Sequence, residues 1–193
     1  MPSARKNNGS KVLSGLPLGG HRLIRPILFY PDKRLRNPGK EVEEFNAELR
    51  QLLDDMAETM YAAPGVGLAA PQLGLSMRLF IVDVATEEDE PSDLRVFINP
   101  EIIEAEGDTT FNEGCLSFPG IREEVDRAER IKVRAFDRDG KPFELEADGL
   151  LAIVIQHEND HLDGKLMIDH LSVLRRRLVH RAMSKRAAVD AAQ

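Results

Sequence analysis

The segment DGLLAIVIQHENDHLDG, residues 148–164, predicts a buried helix that carries two histidines on one face. Apolar residues recur in it at helical spacing, Asp148 is of a favoured N-cap type, and Gly164 is typical of the position just past a helix end. Side chains four positions apart on a helix lie about 5–6 Å apart at Cβ. The imidazoles of His157 and His161 can therefore converge on one metal ion.

Glu158 follows His157 directly and points away from the axis that the two imidazoles share, so we expect it to act on a water molecule and not as a ligand. A catalytic metal centre needs a third protein ligand and an open position. Met167 stands where the metzincin pattern HExxHxxGxxH has its third histidine, so that pattern fails. Two candidates for the third ligand remain, the carboxylate of Asp169 and the thiolate of Cys115.

Two further segments contain residues that could take part in chemistry. Cys115 lies in EGCLS, residues 113–117, although a lone cysteine is more often a small buried hydrophobic residue. Residues 65–72 read GVGLAAPQ, and their two glycines allow the backbone to approach a ligand closely. Gln72 at the end of this segment could donate a side-chain N–H to a developing oxyanion.

The surrounding pattern predicts an α+β fold, with antiparallel strands around a central helix that carries the HExxH motif and with a C-terminal helix. Apolar spacing predicts a helix over residues 42–62, which Pro64 ends. The DRDG turn at residues 137–140 predicts a hairpin between strands 130–136 and 143–147. The other predicted elements are strands at residues 79–84, 96–99 and 102–105, with a break at Pro100, and a last helix at residues 171–188.

Composition favours a globular intracellular protein. The chain has 193 residues, of which 42% are hydrophobic, and its one cysteine fits a reducing compartment, so we expect a cytoplasmic location. No apolar run approaches the about 20 residues that cross a bilayer, so no membrane partner is expected. Residues 1–20 read as a disordered basic extension and residues 21–193 as a single domain. An organelle transit sequence in that extension is the alternative.

Basic residues concentrate at the two ends of an otherwise acidic chain, whose net charge is −7. Residues 1–26 hold five basic side chains and no acidic one, and residues 171–193 hold six against Asp190. These ends could meet a polyanionic partner, or they could simply be solvated. On the last helix we expect an apolar stripe with basic side chains over the remaining surface; the stripe consists of Leu171, Leu174, Leu178 and Met183.

Taken together, residues 65–72 (GxGLAA-x-Q), 113–117 (EGCLS) and 156–161 (QHExDH) resemble the three ordered motifs of the peptide deformylase family. The likeness spans roughly residues 23–170. It implies hydrolysis that removes the formyl group from N-formylmethionyl nascent peptides and releases formate. It also implies Fe(II) as the cofactor, with Ni, Co or Zn able to occupy the same ligands. Bacterial members of the family have a similar C-terminal helix that is linked to ribosome contact, so the resemblance implies the ribosome as a partner of the last helix.

Carried over position by position, the resemblance implies three groups of site residues within one catalytic domain. The metal ligands are Cys115, His157 and His161. The groups that act on the reacting atoms are Glu158 as general acid and base, with Gln72 and the backbone N–H of Leu116 as oxyanion donors. The substrate-binding residues are Val66, Gly67, Arg122, Leu150, Ile153 and Val154, of which the four branched apolar residues would form a pocket for the methionine side chain.

Two other classes stay open on the sequence alone. A zinc endopeptidase would use the same helix with Asp169 or another carboxylate as the third ligand. A non-catalytic binding protein would hold a structural metal with a closed fourth ligand. The sequence leaves the oligomeric state undecided.

Overall fold

The computed structural model describes residues 23–85 and 92–190, so the expected extension at residues 1–20 lies outside the described residues. Three α-helices occur in the described ranges: α1 (Ala47–Ala62), α2 (Gly149–Leu162) and α3 (Val173–Asp190). The strands are β1 (Gly67–Ala69), β2 (Leu79–Val82), β3 (Arg95–Glu106), β4 (Thr109–Gly114), β5 (Arg122–Arg127), β6 (Arg130–Phe136) and β7 (Pro142–Asp148). Short 3-10 helices lie at Lys33–Arg36, Ala70–Leu73 and Met167–His170.

The strands form two antiparallel sheets. The larger sheet has the order β1-β2-β3-β6-β7, and the smaller one pairs β4 with β5. The predicted hairpin is confirmed, because β6 and β7 pair along their length and Gly140 takes a left-handed φ of 79° in the turn between them. The expected α+β class, with antiparallel strands, a central helix and a C-terminal helix, is also confirmed.

Strand β2 is buried on both faces, and this places a helix on each side of it. Side chains alternate along a strand, so Leu79 and Ile81 face one way and Phe80 and Val82 the other. The first pair packs in one core cluster with α1, and the second pair packs in another with α2. The central position of α2 follows from this arrangement.

A third core cluster lies beneath α3. Val179 and Met183 of α3 are buried there against Phe118 and Val125, and Cys115 packs against the same cluster. The predicted apolar stripe on this helix is wrong, because Leu174 and Leu178 are 69% and 52% exposed while only Met183 of the four expected residues is buried on α3. Leu171 is buried, but it precedes the helix.

Two element boundaries differ from the sequence prediction. Helix α1 begins at Ala47 and not at residue 42, because the Asn46 side chain accepts the Leu49 N–H at 3.0 Å as an N-cap. Strand β3 continues through Pro100, where two strands were expected, because the ladder shifts its register between Ile98 and Glu101 instead of ending. Within the described residues, no helix is long and apolar enough to span a bilayer.

We expect Phe80→Ala to destabilise the fold strongly. Phe80 is fully buried and stacks on Phe97 with ring centroids 4.9 Å apart, between β2 and α2. Removal of such a ring from a core costs about 3–5 kcal/mol in the free energy of unfolding. Urea denaturation measures this loss, with exposed Phe29→Ala as a control that changes it by about 0.5 kcal/mol or less. Equal losses in the two variants would contradict this account of the core.

Candidate active site

Helix α2 and the loop after β4 bring three candidate metal ligands together. His157 and His161 are buried one turn apart on α2, and Cys115 reaches them from the end of β4. The Cys115 Sγ lies 3.3 Å from His161 Nε2, and the ligand atoms of all three residues lie within 4.8 Å of one another. Two ligands of a tetrahedral ion with bonds of about 2.0–2.3 Å lie about 3.5 Å apart, so this donor set fits a divalent metal.

Glu113 fixes which nitrogen of His157 is turned toward this cluster. Its carboxylate lies 2.7 Å from His157 Nδ1, which leaves Nε2 for the ligand position. A carboxylate on the second nitrogen of a ligating histidine sets the ring orientation and tautomer. Glu113 itself lies two residues before Cys115, so one short segment supplies a ligand and orients another.

Arg127 holds Glu113 in place through a buried ionic network. Its guanidinium donates to both carboxylate oxygens of Glu113 at 2.7 and 3.1 Å, and to Asp160 at 2.6 Å. The Arg127 side chain is only 4% exposed. Asp160 also pairs with His170 at 2.7 Å, so the network links β4 and β5 to α2 and to the 3-10 helix after it.

Gly67 of β1 lies directly against Glu158. A Cβ at Gly67 would stand 2.4 Å from Glu158 Oε1, so only glycine leaves room for the carboxylate. The other oxygen, Oε2, is buried and has no hydrogen-bond partner among the described residues. An unsatisfied buried carboxylate oxygen beside three ligand atoms is available to a water molecule or a substrate proton.

Gln72 is held at both ends of its carboxamide. Its Oε1 accepts the Ala69 N–H at 2.9 Å, and its Nε2 donates to Ser117 Oγ at 3.1 Å and approaches Cys115 Sγ at 3.5 Å. Leu116 lies in the same loop, and its side chain fills the space that a Cβ at Gly65 would take. The three sequence motifs therefore contact one another.

The pKa values of Glu158 and His161 are both shifted from their ordinary values, in opposite directions. Burial raises the pKa of Glu158 to about 7, so its carboxyl can gain or lose a proton near neutral pH. Burial is the largest cause that lowers the pKa of His161 to about 3, so this imidazole is neutral near pH 7, which is the form that binds a metal ion.

The carboxylates of the network stay ionised. Burial alone would raise the pKa of Glu113, but hydrogen bonds from His157 and Arg127 outweigh it and lower this pKa below its ordinary value. In Asp160, burial is likewise outweighed by bonds from His170 and by Arg127, and its pKa falls to about 2. Both carboxylates therefore remain acceptors over the physiological range.

The predicted substrate residues differ in their exposure. Val66 and Arg122 are exposed, the latter at the start of β5 opposite Gly114. The Arg122 guanidinium donates to the Asn112 carbonyl at 3.0 Å. The α2 residues expected in the apolar pocket are buried or half-buried: Leu150, Ile153 and Val154. Val154 belongs to the core cluster of α2, and Leu150 packs against it.

Sequence reasoning missed four residues that shape the site: Glu113, Ser117, Arg127 and Asp160. Glu113, Ser117 and Asp160 stand inside the recognised motifs, so their position was a usable signal. Arg127 had none. Asp169, the other candidate for the third ligand, is not part of this cluster. Its carboxylate pairs with Arg36 and accepts the Leu166 N–H at 2.9 Å. This removes the geometric support for the endopeptidase alternative.

Comparison with known proteins gives consistent matches. A model of the polypeptide deformylase family matches residues 24–177. The chain is 56% identical over 160 residues to the peptide deformylase of Chromobacterium violaceum, which covers 83% of this chain and 94% of that protein. The crystal structure of a peptide deformylase from Legionella pneumophila superimposes with a TM-score of 0.82 at 48% identity, over 88% of this chain and 99% of the other. A peptide deformylase from Ehrlichia chaffeensis in complex with actinonin gives 0.80 at 37%, over 85% and 98%.

An HExxH helix joined by a cysteine, with a buried glutamate beside the ligand atoms, defines the class of metal-dependent hydrolases. With the matches above, the chain belongs to the polypeptide deformylase family. It is a hydrolase that removes the N-formyl group from nascent polypeptides.

We expect Glu113→Gln to weaken metal binding by about 10- to 100-fold, the usual effect of removing a carboxylate behind a ligating histidine. The amide keeps the shape but turns an N–H₂ group toward the guanidinium of Arg127, which also only donates. Competition with a chromophoric chelator measures the affinity. Glu123→Gln is the matched control, because Glu123 faces Glu113 across the β4–β5 pair and is also largely screened from solvent, but it pairs with Arg175 and not with His157. Equal affinities in the two variants would contradict the role of Glu113.

Proposed function

We propose that this chain deformylates N-formylmethionyl peptides at the centre formed by Cys115, His157 and His161, with Glu158 as the general acid and base. The observation that carries the proposal is the position of Glu158. Its carboxylate is buried beside the ligand atoms, one oxygen lacks a partner among the described residues, and Gly67 leaves the space it occupies.

A divalent metal held by these three residues would supply Lewis acidity to the water and the carbonyl of the reaction. We propose Fe(II) as the ion, with Ni, Co or Zn able to occupy the same donor set. Mixed thiolate and imidazole ligands accept all four ions, so the protein side alone does not select among them.

Glu158 moves the proton in both halves of the proposed reaction. It first takes a proton from the attacking water as the new C–O bond forms at the formyl carbon. It then gives this proton to the amine nitrogen as the C–N bond breaks, which yields formate and a free N-terminal methionine. A pKa of about 7 allows both steps near neutral pH.

Two N–H donors are proposed to stabilise the negative charge that develops on the formyl oxygen. They are Nε2 of Gln72, fixed by Ala69 and Ser117, and the backbone N–H of Leu116. Donors that are already oriented need no rearrangement in the transition state, which makes their contribution large.

The methionine side chain is proposed to contact one face of α2, from which Leu150, Ile153 and Val154 project on the same side as His157. Val66 would close this pocket, with Gly67 and Arg122 along the peptide backbone. Pocket and ligands then stand on one rigid helix, which fixes the methionine relative to the reacting carbonyl.

We expect Glu158→Gln to lower formate release from formyl-Met-Ala-Ser by at least about 100-fold while the metal content is kept, because Glu158 transfers protons and is not a ligand. Cys115→Ser is the paired variant and should lose metal, because a neutral hydroxyl replaces a thiolate. Formate assay and elemental analysis of anaerobic preparations measure both. Metal loss in Glu158→Gln, or full metal content and activity in Cys115→Ser, would overturn these assignments.

We further propose that the enzyme, with residues 21–193 as one catalytic domain, works in the cytoplasm beside the ribosome. A ligating thiolate is kept reduced in that compartment. The outward face of α3 presents Leu174 and Leu178 among exposed basic residues. Arg177, Arg181 and Lys185 lie on this face, and none of the three forms an ion pair within the described ranges. Such a face is suited to ribosomal RNA phosphates.

We expect the triple variant Arg177→Glu, Arg181→Glu, Lys185→Glu to lose salt-sensitive co-sedimentation with ribosomes. Each bound phosphate makes the binding constant fall more steeply as salt is added. In a plot of the logarithm of the binding constant against the logarithm of the salt concentration, the slope of the variant should therefore be shallower by about 2–3, for three phosphates. Lys33→Glu, Lys141→Glu, Lys165→Glu is the control, with the same charge change at exposed positions elsewhere. Formate release from a short peptide should be unchanged in both variants. Equal pelleting of both would reject the docking face.

A further inference from the structure

Ser117 is a fully buried residue of the loop between β4 and β5, and its hydroxyl contacts the side chain of Gln72. The Nε2 of Gln72 donates to Ser117 Oγ at 3.1 Å, and Gln72 is buried as well. Ser117 lies two residues after Cys115, but it supplies no ligand atom to the metal cluster. Its hydroxyl is therefore a candidate for acting on the reaction through Gln72.

The two ends of the Gln72 carboxamide are distinguished by their partners. The backbone N–H of Ala69 can only donate, so the oxygen of the carboxamide must face it, as the 2.9 Å bond shows. The nitrogen then faces Ser117 and uses one N–H in that bond. Its second N–H is turned toward Cys115, whose Sγ lies 3.5 Å from the nitrogen, and so toward the centre of the site.

The segment from Leu28 to Tyr30 fixes the distance between the two bonded residues. The Leu28 N–H donates to the Gln72 carbonyl at 2.7 Å, and the Tyr30 N–H donates to the Ser117 carbonyl at 2.9 Å. Tyr30 also stacks on Phe118, with ring centroids 4.9 Å apart. One short stretch of backbone thus bonds to both partners of the side-chain bond.

We propose that Ser117 is a positioning residue for deformylation, which orients the Gln72 carboxamide so that its second N–H meets the developing oxyanion. The inference rests on the proposed role of Gln72. Without the acceptor at Ser117, the carboxamide keeps only the Ala69 bond on its oxygen and the long 3.5 Å contact of its nitrogen with Cys115 Sγ, so its orientation is held less tightly. A donor that must be reoriented during the reaction stabilises the transition state less than a fixed one.

The test is a double-mutant cycle with Ser117→Ala and Gln72→Ala on the metal-loaded enzyme, assayed with formyl-Met-Ala-Ser. Gln72→Ala should lower kcat by about 100- to 1,000-fold, as removal of an oxyanion donor does. Ser117→Ala should lower kcat by about 10-fold with KM within twofold, because the donor acts in the transition state and not in substrate binding. In the Gln72→Ala background, Ser117→Ala should have no further effect. Metal content should be equal in all four proteins.

The outcomes separate this inference from the function on which it rests. A normal kcat in Gln72→Ala overturns the oxyanion assignment and this inference with it. A reduced kcat in Gln72→Ala, with a normal kcat in Ser117→Ala or with losses that multiply in the double variant, overturns this inference alone.

A measurement on the unaltered chain covers the case in which Ser117→Ala does not fold. In the zinc-loaded, diamagnetic protein, the side-chain N–H proton of Gln72 that is bonded to Ser117 should exchange slowly with solvent, because its acceptor is buried. Rapid exchange of this proton with solvent, measured by NMR, would overturn the proposal.

Discussion

The site depends on one buried cation. Arg127 lies between Glu113 and Asp160, almost out of contact with water. Its bonds to Glu113 join β5 to β4, and its bond to Asp160 joins the smaller sheet to α2. A buried guanidinium without its partners is very costly, so the strands and the helix must keep this alignment wherever the chain is folded. Because Glu113 in turn lies 2.7 Å from His157 Nδ1, the orientation of this candidate metal ligand depends on a buried ion pair that supplies no ligand atom itself.

Around this pairing, close contacts between backbone and side chains bring the other groups together. Gly67 admits Glu158, Gly65 admits the side chain of Leu116, and Gln72 reaches across to Cys115 and Ser117. Each contact joins two segments that are far apart in the sequence. The centre is therefore assembled by pairs of motifs, and no single element contains it.

Much of this could be predicted from the sequence. The helical spacing of His157 and His161 and the turn at residues 137–140 were sufficient for α2 and the β6–β7 hairpin. Strands β4 and β5 were missed because β4 is mostly polar and exposed and β5 is mostly charged, so no apolar alternation marks either strand. The residues alone left Cys115 and Asp169 as candidates for the third ligand, and only the family resemblance chose Cys115, since no local pattern links residues over 40 positions apart. Arg127 resembles any surface arginine until its burial is known.

The two faces of α3 are under different structural constraints. Its inner face, through Val179 and Met183, covers the cluster against which Cys115 and Phe118 pack, while Leu174 and Leu178 look outward. The inner residues are thus constrained by the shape of the core, whereas the outer ones can change without disturbing it. Over evolutionary time the outer face can therefore acquire or lose affinity for a partner while the chemistry below it is conserved. The same helix therefore covers part of the core with one face and presents a surface that can change in sequence with the other.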